Sequence, residues 1–389
     1  MMKINRKKGP AGLYIHIPFC VKKCGYCDFL SFGECDEEIQ KKYAESLIAE
    51  LSLYRGQNIK CDTIFIGGGT PSLLRQEHIA KILEAAEAAF CVAEKAEVSL
   101  EANPGTLSRD KLRAYRKAGV NRLSIGVQSM DDGMLSFMGR IHSSRDFTEN
   151  FQAAREAGFS NINVDLMFGM PGQSRQMWRD SLEQVLALEP EHISFYSLQL
   201  EEGTTFSRMY REGSIDLPPA EEDRAMYHEG IRMLREAGYH HYEISNCAKP
   251  GFECQHNLKY WSFDEYYGAG LGAHAFLYDK GRSCNVSDFD AYFQKIGRGE
   301  LPADPDGYSY ETQTDLMGEY VFTALRKTEG LDMEDFRRTF GENFFSVYED
   351  QRQTIRAYVK SGHLALNGTY LALTEKGIDI SNEIMAEFV

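Results

Sequence analysis

Six short apolar runs, most of them closing on glycines or a polar residue and leading into helical periodicity, constrain this chain more than any other feature. The first is Tyr14–Ile17, stopped by Pro18. The second, Asp62–Ile66, ends in Gly67-Gly68-Gly69-Thr70-Pro71, and Val98–Leu100 ends in Glu101-Ala102-Asn103-Pro104. Arg122–Val127 ends at Gln128, Ile162–Leu166 leads to Gly169-Met170-Pro171-Gly172, and Ile193–Leu198 is the sixth. Apolar positions at helical spacing lie between them: Ile39 to Leu51, Ile79 and Ile82, 112–118 and 178–188. Alternation of this kind implies βαβ units and a parallel sheet. Six units are too few for an eightfold closed barrel and suit an open, partial one. A parallel barrel gathers its functional groups at the C-terminal strand ends. There the residues from Cys20 to Cys27, Gly67 to Thr70, Glu101, Gln128, Asp165 and the Tyr196–Gln199 region are expected to converge.

Between the first run and the first helix lie Cys20, Cys24 and Cys27, spaced C-x3-C-x2-C. Thiolates this close share a metal centre more readily than they pack a core. Three readings stay open from the residues alone: chance clustering, a zinc knuckle borrowing a distant histidine, and a [4Fe–4S] cluster with one iron left for an exogenous ligand.

The surrounding Tyr14-Ile15-His16-Ile17-Pro18-Phe19-Cys20 resembles the signature of the radical S-adenosylmethionine (SAM) proteins, in the branch holding the HemN enzymes and the HemW-type heme chaperones. The resemblance implies a [4Fe–4S] cluster on Cys20, Cys24 and Cys27, with SAM chelated at the open iron and cleaved after electron transfer. It implies an α/β fold: a partial (β/α)6 barrel with a C-terminal winged-helix-like α+β domain. It also implies a SAM-contacting set of Tyr14, Tyr26, Gly68, Gly69, Thr70, Glu101, Gln128, Arg140 and Asp165. The HemN branch has a further cysteine two positions after the third, where this chain has Phe29. That departure points to the chaperone branch, which binds heme and passes it to an acceptor protein, expected in the respiratory chain. The alternative is oxygen-independent oxidation of coproporphyrinogen III to protoporphyrinogen IX.

From about Pro218 the alternation stops. A helix is expected over 221–237, then a short extended piece at 242–246. His256-Asn257-x-x-Tyr260-Trp261 follows, and then a glycine-rich stretch from Tyr267 to Ala273. The histidine motif matches one associated with HemW proteins. Imidazole and thiolate both serve as axial heme ligands, so His256 is the expected heme residue and Cys254 a weaker candidate. Cys35, Cys61, Cys91, Cys247 and Cys284 are read as ordinary thiols. The segment 301–307 reads as a linker. Beyond it come a helix through Leu316 and Tyr320, a hairpin over 364–373 turning at Asn367-Gly368, and a last helix reaching Phe388. The expected division is 1–36 with the first strand and cysteine loop, 37–217 for the remaining barrel, 218–306 connecting, and 307–389 winged-helix-like.

The 389 residues carry a formal charge of −15, which disfavours a nucleic-acid partner. The C-terminal 80 residues are themselves acidic, with six more acidic than basic side chains. Nine cysteines, an odd number, fit a reducing compartment. Lys3, Arg6, Lys7 and Lys8 lead to Gly9-Pro10 without an apolar segment behind them, so no signal peptide or membrane span is expected and the location is read as cytoplasmic. Transient membrane association and a homodimer stay compatible with this reading.

Overall fold

A computed structural model describes residues 4–307 and 312–389. Lys3 and the start of the segment after 307 lie outside the described residues. The six apolar runs form β1 (Ala11–Ile17), β2 (Lys60–Gly68), β3 (Cys91–Ala102), β4 (Arg122–Gln128), β5 (Ile162–Phe168) and β6 (His192–Ser197). Neighbouring strands pair in parallel in chain order. The intervening helices α1 (Glu37–Ser52), α2 (Gln76–Ala89), α3 (Arg109–Lys117), α4 (Asp132–Met138), α5 (Ser144–Glu156) and α6 (Arg175–Leu186) cover the outer face. Leu13, Ile15, Ile64, Ile66, Leu100, Leu123 and Ile125 are buried beneath them. This alternation gives an open parallel barrel, the architecture that the resemblance implies.

The sheet is wider than six strands. After α7 (Thr205–Arg211) and α8 (Ala220–Glu236), the chain adds β7 (His240–Glu243) and β8 (Asn246–Ala248); β8 pairs antiparallel with β6, and β7 pairs antiparallel with β8 at the sheet edge. After α9 (Gln255–Trp261), β9 (Tyr266–Ala269) pairs in parallel with β1, and β10 (His274–Leu277) and β11 (Gly281–Cys284) continue outward from it. The order is β11-β10-β9-β1-β2-β3-β4-β5-β6-β8-β7. Half of the glycine-rich stretch is therefore a seventh parallel strand. Gly268 sits where a Cβ would lie 2.2 Å from the His274 carbonyl oxygen, so only glycine lets the two strands approach.

The interior of the barrel is polar, because the residues pointing inward come from alternate positions. Register sets Glu101 beside Ser124 and Asp165 beside both Gly126 and Ser194. Arg122 and His192 are fully buried in this interior, His192 bridging Asn163 and the Tyr242 hydroxyl at 2.6 and 2.7 Å.

The C-terminal part holds α10 (Phe289–Gly297), α11 (Gln313–Ala324), α12 (Met333–Phe340), α13 (Phe344–Val347) and α14 (Arg352–Lys360). With them, β12 (Leu331–Asp332), β13 (Leu364–Asn367) and β14 (Tyr370–Leu373) form an antiparallel sheet in the order β12-β14-β13. Helices backed by this hairpin make a winged-helix-like unit. The expected last helix is two short ones, Glu375–Ile378 and Ser381–Ala386. Among the described residues, no helix is long and apolar enough to cross a membrane.

Candidate cofactor site at the barrel mouth

The cysteine loop leaves β1 at Pro18 and is tied down on both sides. Phe19–Cys20 pairs in parallel with Phe32–Gly33, and the Pro18 carbonyl accepts from Phe32 N at 2.7 Å. At its centre, Gly25 N donates to the Met138 carbonyl at 3.0 Å, and the Gly25 carbonyl accepts from Phe206 N at 2.8 Å. A Cβ at Gly25 would stand 2.5 Å from the Phe206 ring. The loop is thus wedged between the end of α4 and the start of α7.

Arg140 reaches this loop because of how α4 ends. Gly139 takes a left-handed conformation (φ 78°), and Arg140 N donates to the Leu135 carbonyl at 2.9 Å, a glycine-terminated C-cap that reverses the chain. The guanidinium then donates to Cys24 Sγ at 3.7 Å, the Tyr26 hydroxyl at 3.4 Å, Asn103 Oδ1 at 2.8 Å and the Gly126 carbonyl. One side chain therefore joins the cysteine loop to the ends of β3 and β4. Its Nε is buried without a partner. Tyr26 and Cys24 offset the cost of burial and keep the group cationic.

At the end of β2, each glycine is required by a different neighbour. A Cβ at Gly67 would lie 3.0 Å from Glu101 Oε2, one at Gly68 (φ 117°) 2.5 Å from the His16 ring, and one at Gly69 2.7 Å from the Phe19 carbonyl and 3.1 Å from Cys20 Sγ. Gly68 N donates to Glu101 Oε2 at 3.0 Å. Burial, and next the nearby Asp165 carboxylate, push Glu101 up to about 8, against the opposing pull of Gly68 N–H and Arg122. Asp165 accepts from Ser124 Oγ at 3.1 Å and Asn163 Nδ2 at 2.7 Å. Gln128 holds a left-handed backbone (φ 69°) rarely seen outside glycine, and its amide lies back over Gly126. Tyr14 stacks on Phe65 and donates to His16 Nδ1 at 3.0 Å, while His16 Nε2 donates to the Leu30 carbonyl at 2.8 Å. Thr70 Oγ1 lies 3.6 Å from Cys20 Sγ.

Cys20, Cys24 and Cys27 are free and half-buried on this loop. Burial pushes the Cys27 thiol up to about 11, and the proximity of Cys24 and Cys20 adds to the rise. A cation bound there would reverse that, because thiolates are stabilised by adjacent positive charge. Three soft sulfur donors, a basic guanidinium on one of them and a glycine pressed against another fit a cluster ligated by three cysteines. Among the described residues, no three His, Cys, Asp or Glu side chains already surround one point as ligands of a single ion do.

The Radical SAM superfamily matches residues 14–185, and the HemN C-terminal domain matches 312–380. The heme chaperone HemW of Escherichia coli is 42% identical, spanning 98% of this chain and 99% of its own. That of Bacillus subtilis is 36% identical, spanning 97% and 98%. The chain belongs to the HemW family. The solved structure of coproporphyrinogen III oxidase (HemN) from Escherichia coli superposes with a TM-score of 0.83 at 22% identity, over 98% of this chain and 90% of that one, which shows the shared fold.

The histidine motif of this HemW-family chain lies at the other end of the barrel. Helix α9 closes the N-terminal ends of the strands. Glu97, level with Thr63 and Gly12 in the register, accepts from Gln255 N and His256 N, both at 3.1 Å. Lys259 pairs with Asp62 at 2.7 Å and donates to the Pro10 carbonyl at 2.9 Å. His256 is wholly buried and stacked on Phe65, with Nδ1 2.9 Å from Thr63 Oγ1 and Nε2 2.8 Å from the Tyr260 hydroxyl. Burial, with the nearby cations Lys259 and Arg122, pushes the imidazole down to about 3, so it stays neutral. Both ring nitrogens thus have hydroxyl partners, so an iron ligand at His256 would have to displace Thr63 or Tyr260. Cys254 is no better placed, being fully buried with its thiol pushed up to about 12.

Sequence reasoning did not single out Asn103, Gly126, Gly139 or Phe206. Asn103 was visible as the residue before Pro104 at a strand end. Gly139 acts locally, as the glycine that ends α4, whereas Gly126 and Phe206 act through backbone contacts across the fold that no local pattern announces.

Proposed function

We propose that this protein binds heme and transfers it to an acceptor protein, and that it carries a [4Fe–4S] cluster and SAM at the barrel mouth. Its membership of the HemW family along nearly its whole length carries this reading. Phe29, 65% exposed where the oxidase branch has a cysteine, supports the chaperone over the enzyme.

Cys20, Cys24 and Cys27 would hold the cluster, which supplies one-electron chemistry to the sulfonium of SAM. The chain's own groups bind and orient the cofactor. Gly68 and Gly69 leave backbone exposed for a close approach. Arg140 offers a fixed, permanently charged fork for a carboxylate. Glu101, Gln128 and Asp165 offer acceptors and donors to the ribose and amino groups, and Tyr14, Tyr26 and Thr70 line the sides. Glu101 titrates near neutrality, so at pH 7 it is mostly protonated and can donate a hydrogen bond.

The test is anaerobic reconstitution, followed by hemin titration read at the Soret band and an assay with coproporphyrinogen III, SAM and a reductant. The expected outcome is saturable heme binding without protoporphyrinogen. Efficient protoporphyrinogen formation would replace the chaperone reading with the oxidase.

A further inference from the structure

The guanidinium of Arg140 uses its two ends differently. Nη2 is clamped between Asn103 Oδ1, at 2.8 Å, and the Gly126 carbonyl. Nη1, turned to the cysteine loop, has only long contacts, 3.7 Å to Cys24 Sγ and 3.4 Å to the Tyr26 hydroxyl. None of the four partners is a carboxylate. Arg6, Arg155 and Arg326, which also join distant segments from part-buried positions, each pair with one: Asp335 at 2.5 Å, Glu191 at 2.8 Å and Glu243 at 3.5 Å. Arg140 instead stands on neutral acceptors, and it lines a surface notch with Val21, Lys22, Cys24 and Thr70.

Asn103 can serve as the anchor because it is itself tied down. Its N–H donates to Ser72 Oγ at 3.1 Å, and its carbonyl accepts from Thr106 N at 3.0 Å and Thr106 Oγ1 at 2.7 Å. Ser72 is fully buried, its hydroxyl 2.6 Å from Thr106 Oγ1, in the turn Pro71–Leu73 that directly follows the glycines and Thr70. Lys111 Nζ donates to the carbonyls of Ser72 at 2.6 Å and Thr106 at 3.2 Å, fastening both. One knot thus fixes the glycine turn at the end of β2 and, through a single side-chain oxygen, the guanidinium.

An amide and a carboxylate at position 103 would fill the same space and accept the same bond from Nη2. They differ in what they do to the charge. A carboxylate in contact with the guanidinium would neutralise it, so that an incoming anion met an ion pair rather than a cation. An amide oxygen holds the fork in place and leaves its charge for the ligand. We propose that Asn103 is a positioning residue for SAM: it holds Arg140 through a neutral oxygen, so that the guanidinium meets the carboxylate of the ligand with its full charge. The inference rests on the cofactor reading above.

Calorimetric titration of the reconstituted protein with SAM and with decarboxylated SAM, which keeps the amine and the sulfonium but lacks the carboxylate, tests it. The cluster would favour the carboxylate in every variant, so the change between variants is read rather than the absolute preference. Asn103→Asp is expected to weaken SAM by at least about tenfold and to leave decarboxylated SAM nearly unaffected. A residue needed only for its size and its hydrogen bond would tolerate aspartate. Equal affinities for SAM in wild type and Asn103→Asp would therefore overturn the proposal, as would equal weakening of both ligands. The second arm uses Asn103→Leu, which removes the acceptor. It is expected to weaken SAM by a similar factor, and Arg140→Ala added to it to cause little further loss, since both changes disable the same group. Losses that multiply would overturn the claim that Asn103 acts through Arg140. Wild type that binds neither ligand would count against the cofactor reading itself, and this inference would fall with it.

Discussion

His256→Gln should change how folding depends on pH, and the size of the effect follows from the burial of the ring. An ordinary histidine titrates near 6.5, and burial holds this one at about 3. The unfolded chain therefore takes up a proton as pH falls below 6.5, while the folded chain refuses it until about 3. Stability from the neutral imidazole is fully present above pH 6.5 and is lost progressively as pH falls towards 3. At ~1.36 kcal/mol per unit the whole window is worth about 5 kcal/mol, of which about 2 kcal/mol is lost by pH 5. Glutamine has no proton to gain. At pH 7 the variant should be destabilised by about 2–4 kcal/mol, since the Thr63 and Tyr260 hydroxyls lose good partners in a dry site. At pH 5 the gap from wild type should shrink by about 2 kcal/mol. Urea unfolding of both proteins at the two pH values, followed by circular dichroism, measures it. A gap that does not change between pH 7 and pH 5 would refute the reasoning. A variant as stable as wild type that loses the Soret band would return His256 to the role of an iron ligand.

Three further outcomes are expected. Replacing Cys20, Cys24 and Cys27 together with alanine should abolish iron and sulfide incorporation on anaerobic reconstitution, by metal analysis and absorbance, without unfolding the barrel. Arg140→Ala should weaken SAM binding roughly tenfold to a hundredfold in calorimetry, since charge-assisted contacts of about 1.5–3 kcal/mol are lost; Arg140→Lys should recover little, because one ammonium cannot span Cys24, Tyr26, Asn103 and Gly126. Gly69→Ala should lower cluster occupancy and cost roughly 1–3 kcal/mol of stability, as its methyl would press on the Phe19 carbonyl and Cys20 Sγ.

The parallel strands and the polar residues at their ends could be read from the sequence because both are local. A run of apolar residues makes a buried strand, and a polar residue interrupting its C-terminal half faces the barrel interior rather than the helices. Glu101, Gln128 and Asp165 needed nothing else to be placed together. What could not be read depends on pairings between distant segments. Tyr266–Ala269 shows no feature that would seat it beside β1. His256 was read beside Asn257, Tyr260 and Trp261 as a heme-binding cluster, and the same aromatic neighbours also suit an interior plug. The contacts with Thr63 and Glu97 that seat it, more than 150 residues away, leave no local trace.

Strand β3 carries both Glu97, which holds the helix beneath the barrel, and Glu101, which holds the glycines at its mouth. Four residues of strand separate them by about 13 Å. One stretch of backbone thus acts as a fixed spacer between the plug and the cofactor rim. Adding or removing a single residue between the two would turn one carboxylate out of the barrel while leaving the other inside. Loops around the rim can lengthen over evolutionary time, but this interval cannot.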